Sequence, residues 1–264
     1  MIDTHCHLDA AAFDADRAEV LARARAAGVA EIVVPAVGPD GWEPLLEYAA
    51  AHPGVHAALG IHPQLLPALD PAQDERHLAR LARLVAAGGA VAVGECGLDG
   101  PTAAQAGASM DRQVAVLAAH LDIARRAGRP ILVHCLRAHA PLLALLAAQP
   151  GTIRGVLHSY SGGVDHIRPY AARGLAFSFA GPVTYEQARK PLAAVRAVPR
   201  DRLLVETDAP YQTPRPHRGR GEPAHLAAVA AAVAAALGLP LAELAALTTA
   251  NARAVLGLPA AVAP

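Results

Sequence analysis

Eight short apolar runs alternate with stretches of helical length, and no other feature constrains the fold of this chain so tightly. The runs lie near residues 2–7, 31–37, 55–62, 90–95, 130–135, 153–159, 175–179 and 202–208. Residues 17–27, 41–51, 73–87, 113–127, 138–148, 165–173 and 186–198 read as the helices between them. In the fourth of these, Val114, Leu117, Leu121 and Ala124 show the three-to-four spacing that lines one helix face. Gly28, Gly128 and Gly174 each follow a helical stretch, where a left-handed C-cap is expected. Parallel strands need a crossover between them, and a helix is the usual one. Strict alternation therefore predicts an α/β fold, a single (β/α)8 TIM barrel spanning residues 1–264 as one domain. Two further helices near 241–247 and 249–256 would close its base. A doubly wound open sheet competes, but it usually carries a glycine-rich phosphate loop after strand one. Here His5-Cys6-His7 occupies that place.

Composition narrows the function. The chain is 53% hydrophobic but only 3% aromatic, so aliphatic side chains must fill the interior, and few aromatics are expected at the surface to stack bases. Its 23 basic and 23 acidic residues cancel, which excludes a protein that coats DNA through a broad positive field. An enzyme gripping a few phosphates remains. The three cysteines, Cys6, Cys96 and Cys135, are odd in number and far apart, unlike a disulfide framework. Each directly follows a polar candidate, His5, Glu95 or His134, so strand alternation turns each thiol to the opposite, apolar side. No secretory leader pattern opens the chain, and the alanine-rich stretch 226–237 is too short to span a membrane. The expectation is a soluble, cytoplasmic protein, monomeric and without a membrane partner.

Barrel enzymes carry their chemistry at the carboxyl ends of the strands. Seven polar groups fall there: His5 and His7 on strand one, His62 after strand three, Glu95 on strand four, His134 on strand five, His158 on strand six and Asp208 on strand eight. Such groups buried without partners would be costly, and divalent cations remove that cost. A carboxylate such as Glu95 can bridge two ions. For His62 a metal ligand, a phosphate contact and a helix-start hydrogen bond all stay open. By contrast His52, His77, His120, His166 and His225 fall in helical stretches and read as solvated, as do His56 and His139.

Several motifs then converge on one family. Asp3-Thr4-His5-Cys6-His7-Leu8-Asp9, Gly60-Ile61-His62-Pro63, Gly94-Glu95-Cys96-Gly97-Leu98-Asp99, His158-Ser159-Tyr160-Ser161-Gly162 and Glu206-Thr207-Asp208-Ala209-Pro210-Tyr211 resemble the TatD family of metal-dependent deoxyribonucleases. Pro216-His217-Arg218-Gly219 and Thr248-Thr249-Ala250-Asn251-Ala252 extend the likeness over essentially the whole chain. The resemblance implies a metallo-dependent hydrolase barrel with two divalent metal ions per chain. It implies His5, His7, Glu95 and Asp208 around one ion and Glu95, His134 and His158 around the other. Asp208 and Glu95 would be catalytic, Asp208 taking the proton of the attacking water. Glu206 is expected to orient a ligand or to contact substrate, with a buried ion pair as the alternative. Arg218, together with Arg220, is expected to hold a phosphate, with a plain surface loop as the alternative.

Two departures touch the surroundings of the site. An aromatic residue usually follows Gly97-Leu98-Asp99 in the family, whereas Gly100-Pro101 and a small-residue loop, 102–109, follow here. That loop is expected to cover the site. The segment between Gly219 and Glu222 is also about one residue short of the usual pattern. The expected activity is 3′–5′ exonucleolytic cleavage of DNA, short single strands or 3′ ends, or of another phosphate ester, with magnesium or manganese in function. Zinc, nickel or iron also suit the ligand set. Hydrolysis of a small-molecule ester, lactone, amide or aminoacyl ester is the competing activity, and a metal-binding scaffold without catalysis is a third reading.

Overall fold

In a computed structural model, which describes residues 1–258, the eight expected strands are β1 (Ile2–Asp3), β2 (Glu31–Pro35), β3 (Val55–Leu59), β4 (Ala90–Asp99), β5 (Ile131–Leu136), β6 (Gly155–Leu157), β7 (Leu175–Phe179) and β8 (Leu203–Val205). The end of the expected domain, 259–264, lies outside the described residues. Each strand pairs in parallel with the next, without crossover, from β1 to β8. Three backbone hydrogen bonds close the seam between the last strand and the first. Thr4 N donates to Val205 O (3.4 Å), Asp208 N to His5 O (2.9 Å) and His7 N to Ala209 O (2.8 Å). The sheet is a nearly closed barrel.

Helices α1 (Arg17–Ala26), α2 (Trp42–Ala51), α3 (Asp74–Ala87), α4 (Met110–Ala127), α5 (His139–Ala148), α6 (Ile167–Ala172), α7 (Arg189–Ala197) and α8 (Leu226–Leu237) follow the successive strands. Local chemistry sets their ends. The Ser109 hydroxyl accepts from Arg112 N at the start of α4, and Gly128 ends it with φ 63°. A last helix, α9 (Leu241–Leu256), is continuous where two helices were expected. The Thr248 hydroxyl donates to Leu244 O at 3.0 Å, so this β-branched residue at the expected break satisfies its hydroxyl within the helix.

The lumen explains why one end of the barrel is inert. Each strand sends one side chain into a common layer: Ile2, Val33, Ala58, Ala92, Leu132, Val156, Ala176 and Leu204. Ala252 and Leu256 of α9 close it from below. Small and large residues share the ring, all of them buried. A buried Leu or Val here contributes about 1.5–3 kcal/mol. A second, larger cluster lies between the strands and the helices, with Trp42, Phe13 and Tyr170 fully buried in it. Among the described residues no single helix is long and apolar enough to cross a membrane. With the base plugged, only the carboxyl ends of the strands are left to carry polar chemistry.

Candidate metal centre

Most regular strands stop earlier than their apolar runs suggest. The residues just beyond β1, β3, β6 and β8 leave the ladder and carry His5, His7, His62, His158 and Asp208. β4 does the opposite and continues to Asp99. Two glycines allow the strands to approach closely enough. A Cβ at Gly97, whose φ is 156°, would stand 2.0 Å from His134 O, and one at Gly60 would stand 2.5 Å from Glu95 O.

The seven expected side chains meet around Glu95. Its Oε2 lies 3.0 Å from His5 Nε2 and 3.5 Å from His7 Nε2. Asp208 Oδ1 completes that group at 3.8 Å from His5 Nε2 and 3.6 Å from His7 Nε2. On the other side, Glu95 Oε1 lies 2.9 Å from His62 Nε2, 2.9 Å from His158 Nε2 and 3.1 Å from His134 Nδ1. Donor atoms bound to one ion at about 2.1 Å in a tetrahedral site stand roughly 3.4 Å apart. Both groups match that spacing, so the donor set could hold two cations with Glu95 between them. His62 stands with these donors. Its Nδ1 accepts from Gln64 N (3.1 Å), a helix-start bond that leaves Nε2 facing Glu95.

Electrostatics point the same way. Burial pushes the Glu95 carboxyl up, but the imidazoles of His62, His158 and His5 outweigh it and hold the group well below the usual carboxylate range. Burial, then the neighbouring His5, lowers His7 to about 3, so its ring is neutral with a lone pair to give. Burial raises Asp208 above its ordinary value despite nearby imidazoles. Despite burial, the carboxylates beside them, Asp99 and Glu95 for His134 and Glu95 and Glu206 for His158, raise both imidazoles above their ordinary values, and bound cations would take the place of the protons so held.

Behind the donors stands a set of supporting groups. Asp99 Oδ2 lies 3.1 Å from His134 Nε2 and accepts from Gln64 Nε2 at 2.9 Å, while Oδ1 accepts from Thr102 N at 2.7 Å. Glu206, fully buried, lies 3.3 Å from His158 Nδ1 and accepts from Thr4 Oγ1 at 3.3 Å. It stands behind the imidazole, away from any substrate-accessible surface. Asp3, also fully buried, accepts from Thr207 N (3.0 Å) and Thr207 Oγ1 (2.6 Å), tying β1 to β8 beneath the centre. The sequence reading missed Asp99 and Asp3 as supports. Asp99 was open to discovery, since 95, 97 and 99 share one face of β4.

A cavity of about 770 Å³ opens over these groups and is lined by His7, His62, Glu95, His134, His158 and Asp208; His5 lies deeper. Its other walls include Leu65, Leu136, Phe179 and Val183. Several expectations change here. None of residues 100–109 lines the cavity. Gln113 fastens that loop instead, donating to Asp99 O and Ala108 O at 3.1 Å each. Arg218 is exposed and outside the cavity. Arg220 is committed to Asp16 (2.7 Å) and Glu222 (2.9 Å) and covers the Phe13 ring at 4.8 Å. Large exposed aromatics are few among the described residues, as expected, but the two of them, Tyr211 (60% exposed) and Tyr185 (38%), both stand at the mouth.

The remaining histidines and thiols divide. His120 is fully buried rather than solvated: Ile61 N donates to its Nε2 (3.0 Å), and its Nδ1 donates to Val116 O (2.7 Å). Cys6 and Cys96 lie in the core as expected. Cys135 is buried as expected too, at the edge of the core where it meets the cavity wall, with Sγ 3.3 Å from His139 Nδ1.

Comparison with known proteins places this geometry. Residues 2–257 match the family model described as TatD related DNase. An uncharacterized metal-dependent hydrolase, TatD, of Mycobacterium tuberculosis is 38% identical over 263 residues, covering 98% of each chain. A 3′–5′ ssDNA/RNA exonuclease TatD of Cronobacter sakazakii is 35% identical over 259 residues, covering 96% of each. Among solved structures, the TatD homologue YjjV of Escherichia coli superposes with a TM-score of 0.89 at 30% identity, covering 98% of each chain.

Proposed function

This chain belongs to the family of TatD-related DNases, which makes it a metal-dependent hydrolase, and on that premise we propose that it removes nucleotides from the 3′ end of single-stranded nucleic acid. One observation carries the reading: the two oxygens of Glu95 face two separate groups of donors at coordination spacing. His5, His7, Asp208 and Glu95 Oε2 would hold one ion. His134, His158, His62 and Glu95 Oε1 would hold the other. When bound, such a pair supplies Lewis acidity, favouring ionisation of water and offsetting charge that builds on phosphoryl oxygens.

The chain's own groups do the rest. Asp208 takes the proton of the attacking water; burial has already raised its proton affinity toward that task. Gln212 donates to Asp208 Oδ2 and so holds the carboxylate's direction. Asp99 and Glu206 fix the rings of His134 and His158 from behind. Magnesium or manganese would serve in function, and the imidazole-rich set also accepts zinc, nickel or iron.

The apolar walls of the cavity favour a second reading, hydrolysis of a small-molecule ester, lactone or amide. One experiment separates the two. Metal-loaded protein is given a 5′-labelled single-stranded oligonucleotide beside a panel of carboxylic esters and amides. A ladder of 3′-shortened products that disappears in Glu95→Ala supports the nuclease. Ester or amide turnover with intact oligonucleotide would refute it.

A further inference from the structure

The mouth of the cavity carries groups that the hydrolytic scheme leaves unused. Lys190 is the only lysine in a chain that otherwise relies on arginine for its cations. Of the residues lining the cavity it is the only lysine or arginine. It is exposed, in the first turn of α7, where a positive charge opposes the helix dipole, so helix stability does not account for it. Among the described residues no carboxylate pairs with it.

The aromatic residues show the same pattern. Five large apolar side chains of the described residues are exposed, Val37, Val164, Tyr185, Tyr211 and Leu241, and three of them meet at this one mouth. The Tyr211 ring stands edge-on to His7 at 5.8 Å, directly beside the metal centre. The Arg215 guanidinium lies over the Tyr185 ring at 5.9 Å. Folding does not require tyrosine rings in water beside cations. A ligand with flat faces and a negative charge does.

We infer that this mouth is a recognition face for a single strand, in which Tyr211 and Tyr185 stack bases and Lys190 binds a phosphate other than the one cleaved. The inference rests on the phosphodiester reading above and specifies how the strand is held. Every base has a π-face, so stacking is indifferent to sequence. A lysine, a mobile point charge on a flexible stem, suits a phosphate whose position varies with the strand's conformation. A duplex keeps its bases in the helix, where tyrosine cannot reach their faces. With few cations at the mouth, Lys190 in its lining and Arg215 over Tyr185, and zero net charge, the footprint is short and its salt dependence shallow.

The test is fluorescence anisotropy of a short labelled phosphorothioate oligothymidylate with the metal-loaded protein. Lys190→Ala weakens binding about tenfold and reduces the slope against salt by about 0.7; Lys190→Arg recovers both. Tyr211→Ala weakens binding about tenfold, and Tyr211→Phe does not, because stacking needs no hydroxyl. Arg189→Ala removes the same charge one residue away, outside the cavity, and leaves affinity unchanged. Wild-type affinity in Lys190→Ala and Tyr211→Ala, or an equal loss in Arg189→Ala, overturns the inference. If the wild type still shortens oligonucleotides in that case, only the recognition face fails. If the wild type binds no oligonucleotide at all, the phosphodiester reading falls with it.

Discussion

Replacing Asp99 by asparagine tests whether the carboxylate behind His134 sets that ring's function. Three N–H groups converge on the carboxylate: Thr102 N on Oδ1 (2.7 Å), and Gln64 Nε2 (2.9 Å) with His134 Nε2 (3.1 Å) on Oδ2. Asparagine has one acceptor oxygen and one donor group, so it cannot serve both sides. If its oxygen keeps Thr102, its NH2 faces His134 Nε2 and drives the ring proton onto Nδ1. Nδ1 is the atom 3.1 Å from Glu95 Oε1, the one needed for a metal. If the amide turns over, Thr102 N loses its buried acceptor at about 1–3 kcal/mol. Loss of a group that orients a ligand typically costs 10–100-fold in metal affinity, about 1.4–2.7 kcal/mol. Calorimetric titration of metal-free protein should therefore show a weakened second equivalent and an unaltered first. The alternative amide orientation would appear as a lowered melting temperature. Unchanged affinity for both equivalents together with unchanged stability would refute the account of Asp99.

Other outcomes follow from single features. His120 is buried and its imidazole is lowered to about 4 by that burial, so the unfolded chain binds the extra proton between about pH 6.5 and 4. Stability from this group is complete above pH 6.5 and is lost as pH falls, about 2 kcal/mol between pH 7 and 5; His120→Gln should flatten that slope in urea titrations. Gly97→Ala places a Cβ 2.0 Å from His134 O and should destabilise the fold by about 3 kcal/mol or more, read as loss of soluble protein or a lower melting temperature. Removing metal with a chelator should lower the melting temperature, since an ion at a hundred times its Kd adds about 2.7 kcal/mol. Glu95→Ala should abolish that metal dependence, and a chelator effect that persists in this variant would place the ions elsewhere.

The sequence exposed the site more fully than its surroundings. His5, His7, Glu95, His134, His158 and Asp208 were recognisable because each ends an apolar run, and a polar group there has few reasons to exist other than chemistry. The residues that support or extend the site lacked that contrast. Asp99 looks like a turn residue, Tyr211 like part of a proline loop and Lys190 like an ordinary helix charge. His120 sits in a helical stretch with the composition of a solvated face, and only its burial against Ile61 N distinguishes it. The loop 102–109 misled for a related reason: its small residues suggest freedom, whereas Gln113, from α4, binds it down.

By itself the order of residues determined the alternation of strand and helix, the parallel sheet that alternation requires and the end of the barrel that carries polar groups. These depend on periodicity, which is local. Tertiary structure alone decided that both oxygens of Glu95 find separate partners, that Arg220 is spent on Asp16 and Glu222, and that two tyrosines and a lysine share one mouth. Those facts depend on distances between residues far apart in the chain, and closure of the barrel is what sets them.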